Sequence, residues 1–248
     1  MTGAILNAAG ILLGGLIGLA QRRGGAMSPQ SEAFLKLGLG LGTIFFGLRL
    51  VWISFNGPAL SILKQVVIAA LAIIIGKWLG RLMRLQKASN HLGSHARKLI
   101  ERNRPDDPQR FASGFNVCAI LFCAAPLGIL GSIHDGLATG PGGTSYFYIL
   151  AVKAVMDGLA MMGFVRMFGW GTMLSALPVF VFQFAIILFC HLHAEPFLRE
   201  HSLLDSVNGV GGLVVCTVGL VIFEVKRVEL ADYLPALAVA PLLTWVWR

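Results

Sequence analysis

Two charged side chains lie inside one apolar stretch of this sequence, where charge is unfavourable. Lys153 and Asp157 are four residues apart within residues 145–166, a spacing that puts both on one face of an α-helix. Ionisable groups inside membrane segments are rare and either mark ion or proton pathways or pair with one another. Two interpretations therefore stay open: an ion- or proton-binding pair, or a self-neutralising pair that holds a helical bundle together.

A second group of polar residues follows an interruption in the fourth apolar stretch. Pro126 removes a helical hydrogen bond, and glycines at 128 and 131 loosen the backbone further. This pattern predicts a broken or re-entrant segment with non-helical backbone, which is tolerated at this depth only where protein or water covers it. An ordinary loop with a turn at 135–136 is the alternative. The side chains expected to line a cavity here are those of Ser132, His134 and Asp135.

Other polar groups in apolar surroundings extend this candidate site, but none indicates an enzyme. No nucleophile elbow, zinc-protease or phosphate-loop motif is present. The four cysteines lie in apolar stretches without a CxxC spacing, so neither a metal nor a cofactor is predicted. Three amides are expected to be buried and able to reach the site: Asn7, Asn116 and Gln183.

Eight long apolar stretches must position these residues. A membrane-spanning helix needs about 20 mostly apolar residues to cross roughly 30 Å of hydrocarbon, and these runs do not alternate as barrel strands do. We therefore predict an all-α, polytopic transmembrane bundle of about eight spans. The stretches are residues 2–20, 34–54, 58–80, 111–130, 145–166, 170–190, 209–224 and 231–247.

Composition supports one integral membrane domain over residues 1–248. The chain is 56% hydrophobic and 13% charged, with a net charge of +8, whereas soluble domains are about a quarter charged. Much of the basic excess lies in residues 81–110, which the positive-inside rule places in the cytoplasm. Anionic lipid headgroups are the expected partner, and nucleic acid is not. The candidate headgroup-binding residues are Arg81, Arg84, Lys87, Arg97 and Lys98.

This basic segment also predicts an amphipathic helix. Apolar residues recur at three- and four-residue steps from 82 to 99, which gives one apolar stripe. The helix is expected to end near Asn103, before the turn signal at residues 105–108. It either continues the third span into the cytoplasm or lies on the membrane surface.

Charge asymmetry sets the predicted orientation. The connections between spans 1–2, 3–4, 5–6 and 7–8 are the basic ones, so they are placed in the cytoplasm and both termini outside. Besides residues 81–110, the basic residues that support this are Arg22, Arg23, Arg166, Lys226 and Arg227.

Glycine spacing and a weak internal similarity bear on how the helices pack. Glycines four residues apart at 10, 14 and 18, at 38 and 42, and at 76 and 80 predict close helix–helix contacts. Residues 37–51 resemble residues 210–223, and the starts of spans one and six are also alike. Either apolar helices resemble one another by chance, or spans 1–3 and 6–8 form an inverted 3+3 repeat around a central helix pair, which is a transporter architecture.

The order of several motifs resembles a known family. The chain contains ILNAAGILLGGLIGL, FCAAPLGILGSIHDGL, KAVMDGLA, LSALPVFVFQ and DYLPALAVAPLL in that order. These segments are similar to the YdfK/YqgA family of bacterial inner-membrane proteins, and the match covers most of the chain. The resemblance implies a polytopic protein of the bacterial inner membrane whose function is unassigned.

From these features the expected function is a transporter or channel for a small solute or ion. Its pathway would lie near Asp135, Lys153 and Asp157, and the protein is expected to form a homo-oligomer. The alternative is a membrane-embedded structural or regulatory assembly protein with a buried structural ion pair. A polar cavity reaching the pair would favour the first interpretation, and a sealed pair the second.

Overall fold

A computed structural model describes residues 1–21, 28–102, 110–140, 144–226 and 228–247. Over these residues the chain is helical, without strands, which confirms the all-α prediction. The predictions that concern Arg22, Arg23, Arg227 and the turn at 105–108 fall outside the described residues. The α-helices are α1 Thr2–Ala20, α2 Pro29–Ser54, α3 Ala59–Leu82, α4 Leu85–Arg102, α5 Arg110–Ala124, α6 Pro126–Gly136, α7 Tyr148–Phe168, α8 Ala176–Phe189, α9 Glu195–Glu200, α10 Leu204–Ile222 and α11 Ala236–Val246.

Among the described residues, six helical segments are long and apolar enough to cross a membrane, and a bent pair of helices raises this number to seven. They are α1, α2 from Ala33, α3, α7, the continuous segment Trp170–Glu200 that contains α8, and α10. The eighth predicted stretch forms a 3₁₀ turn, Leu230–Tyr233, and the short helix α11, which contains Pro241. Eight full crossings therefore stay a prediction.

The fourth apolar stretch is broken at Pro126, as the sequence predicts. Helices α5 and α6 meet at a bend of 57°, with Pro126 in the first turn of α6. The expectation of non-helical backbone beyond the break is wrong, because Pro126–Gly136 is an α-helix. A proline at the start of a helix lacks only an N–H that would have no partner there anyway.

The two largest apolar cores within the described residues lie on opposite sides of α6. One joins α2, α3, α10 and α11 with part of α6, and the other joins α1, α5, α7 and α8. In the second core Ile11 and Met161 are fully buried. Helix α6 lies between the two groups, because its side chains face both α10 and α1.

Glycines bring α1 and α7 into backbone contact. Gly10 lies against Ala154 and Gly14 against Gly158, so residue numbers increase together and the two helices run parallel. A Cβ atom at Gly158 would lie 2.7 Å from the carbonyl oxygen of Gly10, which leaves no room for a side chain. The predicted contact role of the glycines in the first span is confirmed.

Helices α2 and α10 pack against each other in an antiparallel arrangement. Gly40 lies beside Phe223 and Gly47 beside Cys216, so residue numbers run against each other. Gly76 of α3 likewise contacts Ala236. In contrast, a Cβ atom added at Gly38 or Gly42 of α2 would meet no neighbouring atom within 4 Å among the described residues.

Helix α4 is separate from the third span. The backbone turns at Arg84, whose φ is +56°, and α4 then packs on α5. Its first turn is held by the 3₁₀ turn, since the Gln86 amide donates to Asp232 Oδ1 at 2.8 Å and the Ala231 amide to Gln86 Oε1 at 3.1 Å. The C-terminal part of the predicted apolar stripe faces the bundle, with Ala96 fully buried and Leu99 packed beside it, whereas Ala88 and Leu92 are exposed.

Candidate functional site

The strongest candidate site is the pair formed by Lys153 and Asp157. The ammonium group donates a hydrogen bond to Asp157 Oδ2, and the two side chains are only 2% and 10% exposed. The Lys153 ammonium also lies 5.7 Å from the centre of the Phe122 ring, within the range of a cation–π contact. The predicted pairing is therefore present and largely shielded from solvent.

Two buried amides flank this pair. Asn7 of α1 and Gln183 of α8 are 0% and 1% exposed, and neither side-chain amide makes a hydrogen bond to a described residue. Asn7 lies near the Asp157 carboxylate without hydrogen-bond geometry. We call Asn7, Lys153, Asp157 and Gln183 the central polar cluster. It draws polar groups from three helices to one place close to the middle of α7.

Gly128 of α6 lies where the central polar cluster approaches the bent pair formed by α5 and α6. A Cβ atom at Gly128 would lie 2.7 Å from Lys153 Cε and 3.4 Å from Gln183 Nε2. The absence of a side chain lets the Lys153 stem and the Gln183 amide approach α6 within one turn of the bend. The bend and the charged pair are therefore parts of the same site.

Asp135 does not belong to this cluster. Its carboxylate lies two helical turns beyond Gly128, where Oδ2 accepts a hydrogen bond from the Gly3 amide at 2.9 Å. Oδ1 accepts from the Met1 amino group at 3.0 Å and from the Ser145 hydroxyl. Asp135 thus caps the start of α1 from another helix, where a carboxylate satisfies free amides and the helix dipole.

Ser132 and His134 point to other surroundings. The Ser132 hydroxyl donates to the carbonyl of Gly128 at 2.7 Å within α6. His134 is fully buried, its ring faces Gly211 of α10, and neither ring nitrogen has a partner among the described residues. Of the three residues predicted to line one cavity, each therefore has a different environment.

Comparison with known proteins gives the family. A family model described as "protein of unknown function (DUF554)" matches residues 2–245. The chain belongs to this family. It is 27% identical over 248 residues to the uncharacterized protein YqgA of Escherichia coli (strain K12), covering 99% of this chain and 97% of that protein. It is 24% identical over 246 residues to the uncharacterized membrane protein YdfK of Bacillus subtilis (strain 168), covering 99% and 96%.

No solved structure matches this chain. The resemblance identified from the motifs is confirmed by the family match and by both relatives. The description of YdfK as a membrane protein agrees with the long apolar helices found here. This chain is accordingly a polytopic helical membrane protein.

One predicted site residue is misplaced. Asn116 is exposed rather than buried, because the buried face of α5 contains Gly114, Val117 and Cys118. Asn116 lies on the other side of that helix and does not reach the cluster.

The sequence interpretation also missed Asn208, which is buried and whose Oδ1 has no partner within the described ranges. It falls one residue before the predicted stretch at 209, whereas α10 begins at Leu204.

The candidate headgroup-binding residues divide into two groups. Arg81 pairs with Glu229 at 3.1 Å and Arg97 with Glu101 at 2.9 Å. Arg84, Lys87 and Lys98 are exposed and form no ion pair within the described ranges. Among those same residues, no group of three His, Cys, Asp or Glu side chains is arranged to hold a metal ion.

Proposed function

We propose that this protein is a transporter or channel for a small solute or ion in the bacterial inner membrane, with its pathway through the central polar cluster. The observation that carries the proposal is the pair of buried amides, Asn7 and Gln183, with unused hydrogen-bonding atoms beside a buried ion pair. Each unsatisfied polar group destabilises a fold by about 1–3 kcal/mol. Polar and ionisable groups of this kind inside membrane helices are typical of sites that bind a solute, an ion or water during function.

The bend beside the cluster supports the same proposal. Transporters commonly have their sites where membrane helices are interrupted. Here the 57° break between α5 and α6 lies within one turn of Gly128, which contacts Lys153 and Gln183. A change in the bend angle would move α6 against both side chains, which offers a route by which the site opens.

The arrangement of helices is compatible with the predicted inverted repeat. In such a repeat, a rotation of half a turn about an axis in the membrane plane superposes α1, α2 and α3 on α8, α10 and α11. The same rotation superposes the bent pair, α5 and α6, on α7. The parallel packing of α1 on α7 would then need a parallel packing of α8 on the bent pair. Gly128 lies beside Gln183 and Gly136 beside Ile187, so α6 and α8 do run parallel.

The α2–α10 contact adds residue-level support for this repeat. Four residues of each helix form this contact, and they follow the same spacing in both helices. The steps between them are four, three and four residues, and the first and third residues of each set are glycines. Each residue of one set meets its counterpart in the reverse order, as a twofold axis through the interface requires. The sets are Gly40, Ile44, Gly47, Val51 and Gly212, Cys216, Gly219, Phe223.

The alternative function is a structural or regulatory assembly role, and a specific observation favours it. Lys153 and Asp157 are paired and nearly inaccessible, as expected for a structural pair. A carrier between openings has the same closed appearance. The two functions differ in whether water reaches the cluster at any time.

A thiol-accessibility experiment tests this difference without knowledge of the substrate. Gln183→Cys and Ile187→Cys are introduced separately into a variant that lacks the four native cysteines. The two positions are one turn apart on α8 and both 1% exposed, but only Gln183 belongs to the cluster. A membrane-impermeant thiol reagent should modify the protein with Cys at 183 and not the protein with Cys at 187. Equal protection of both positions would overturn the pathway and leave the structural role.

The oligomeric state and orientation belong to the same proposal. Gly38 and Gly42, which have no close neighbour among the described residues, leave a small-residue face on α2 that suits contact with a second copy. Disulfide cross-linking of Gly38→Cys between copies would support a homo-oligomer, and the absence of cross-links in membranes would contradict it. The basic connections favour a cytoplasmic α4 and termini on the outside.

A further inference from the structure

A row of basic side chains follows one flank of α4. Lys87, His91, His95, Lys98 and Arg102 recur at steps of four, four, three and four residues, and all five are exposed. Such steps keep side chains on one side of a helix. We call these five residues the basic row. It lies beside the apolar face of α4, while Arg97, with its Glu101 partner, lies on the other flank.

The basic row is free of acidic partners within the described residues. The ion pairs of this region instead involve Arg81 and Arg97. Unpaired charges on an amphipathic helix next to a bilayer are the usual attachment for anionic headgroups. The positive charge of the row is therefore available for a ligand.

An apolar cleft of about 510 Å³ runs beside the row, between α4 and the bent helix pair. The Ser89 hydroxyl lies 3.5 Å from the carbonyl oxygen of Ala124, the last residue of α5 before the bend. Both walls of the cleft are mainly apolar. Its lining includes Leu85, Ala88 and Leu92 of α4, and Cys123, Pro126 and Ile129 of the bent pair.

We infer that α4 and the bent helix pair form a binding site for an anionic phospholipid. The basic row would hold the phosphate-bearing headgroup, and the cleft would take part of an acyl chain. This assignment commits to a lipid because exposed positive charge and an apolar cleft lie side by side on α4. It does not depend on transport through the central cluster.

Such a lipid would contact the bend that borders the central polar cluster. Cys123 and Pro126 line the cleft, while Phe122, the neighbour of Cys123, lies under the Lys153 ammonium. Lipid composition would therefore act on the bend directly. An acyl chain against Pro126 would resist movement of α6 toward α4.

Lipid binding can be measured by native mass spectrometry of the full-length protein in detergent, titrated with phosphatidylglycerol or phosphatidylcholine. The wild type should bind phosphatidylglycerol more tightly, and this preference should weaken as salt increases, since salt screens exposed charges. The double variant Lys87→Gln/Lys98→Gln should bind phosphatidylglycerol about tenfold or more weakly. The matched control, Arg81→Gln/Arg97→Gln, removes the same charge from paired residues and should bind within about twofold of the wild type.

The cleft is tested separately. Ala88→Phe should fill it and lower phosphatidylglycerol binding several-fold, whereas Ser94→Phe, on the exposed side of α4, should not. Equal binding of both lipids by the wild type, or equal loss in the two charge variants, would overturn the site. Equal binding by the two phenylalanine variants would overturn the role of the cleft. Displacement of the lipid by a single-stranded oligonucleotide would mark a general polyanion surface and contradict the lipid assignment.

Discussion

At the scale of single residues, the Lys153–Asp157 pair makes the most direct prediction. Lys153→Met or Asp157→Asn alone leaves one buried charge without its partner, which typically lowers stability by about 3–5 kcal/mol. The double variant leaves no lone charge and should recover part of that loss. Denaturant-induced unfolding in detergent measures the free energy of unfolding of all four proteins.

The same double variant separates structure from transport. If the pair carries an ion or proton, a folded double variant should lose flux in reconstituted vesicles. Undiminished flux would assign the pair a structural role alone. Additive losses of stability, with no recovery in the double variant, would instead contradict the contact between the two side chains.

Asp135 gives a second prediction. Asp135→Asn removes the negative charge and one of the two acceptor oxygens that receive the Gly3 amide and the Ser145 hydroxyl. We expect a loss of about 1–3 kcal/mol in the free energy of unfolding. Asp205→Asn is the control, because Asp205 is exposed at the start of α10 and makes no capping hydrogen bond there. A loss of equal size in the control would show that charge alone, and not the cap, is responsible.

The sequence identifies the charged residues inside apolar helices more reliably than it identifies the residues that they contact. Spacing alone places Lys153 and Asp157 on one face, because a helix fixes that relation locally. Nothing local says that Asp135 meets Gly3, which is 132 residues away. The error at Asn116 has the same origin, since the face of α5 that becomes buried depends on which helices surround it.

At the scale of helices, the α2–α10 interface makes a prediction about close packing. A Cβ atom at Gly47 would lie 2.7 Å from Cys216 Sγ and 2.8 Å from the carbonyl oxygen of Gly212. Gly47→Ala should therefore lower the free energy of unfolding by about 1–3 kcal/mol. Thermal unfolding in detergent provides the measurement.

Gly163→Ala is the matched control, because a Cβ atom at Gly163 would have no neighbour within 4 Å among the described residues. Alanine favours a helix over glycine by about 0.8–1.0 kcal/mol, so this variant should keep or slightly increase the unfolding temperature. Similar destabilisation by both substitutions would contradict the contact explanation, because helix propensity favours alanine at both positions and only Gly47 has close neighbours.

Helix positions are largely predictable from the sequence, and helix partners are not. Apolar runs locate the spans because bilayer thickness fixes their length, and Pro126 locates the bend because of its own covalent geometry. In lipid, however, hydrophobicity does not select which helices pack together, because the lipid tails are as apolar as the helix surfaces. The glycines at 10, 14 and 18 identify a contact face of α1 but leave its partner, α7, undetermined.

For the molecule as a whole, charge asymmetry predicts orientation. Reporter fusions within residues 85–102 should report a cytoplasmic location, and a fusion after Trp247 should report the outside. A cytoplasmic signal at the C-terminal position would mean that the 3₁₀ turn and α11 do not cross the membrane, leaving seven spans. Opposite signals at both positions would reverse the orientation.

The cap on α1 has a consequence for biosynthesis. The Gly3 amide and its acceptor, Asp135, are 132 residues apart, and chains are synthesised at about 5–20 residues per second, so the acceptor follows the donor by roughly 7–26 s. During that interval α1 stands in the bilayer without its cap and without α7. Helix α1 is thus synthesised well before the residues that complete its native contacts, and insertion and assembly of this protein are separated in time.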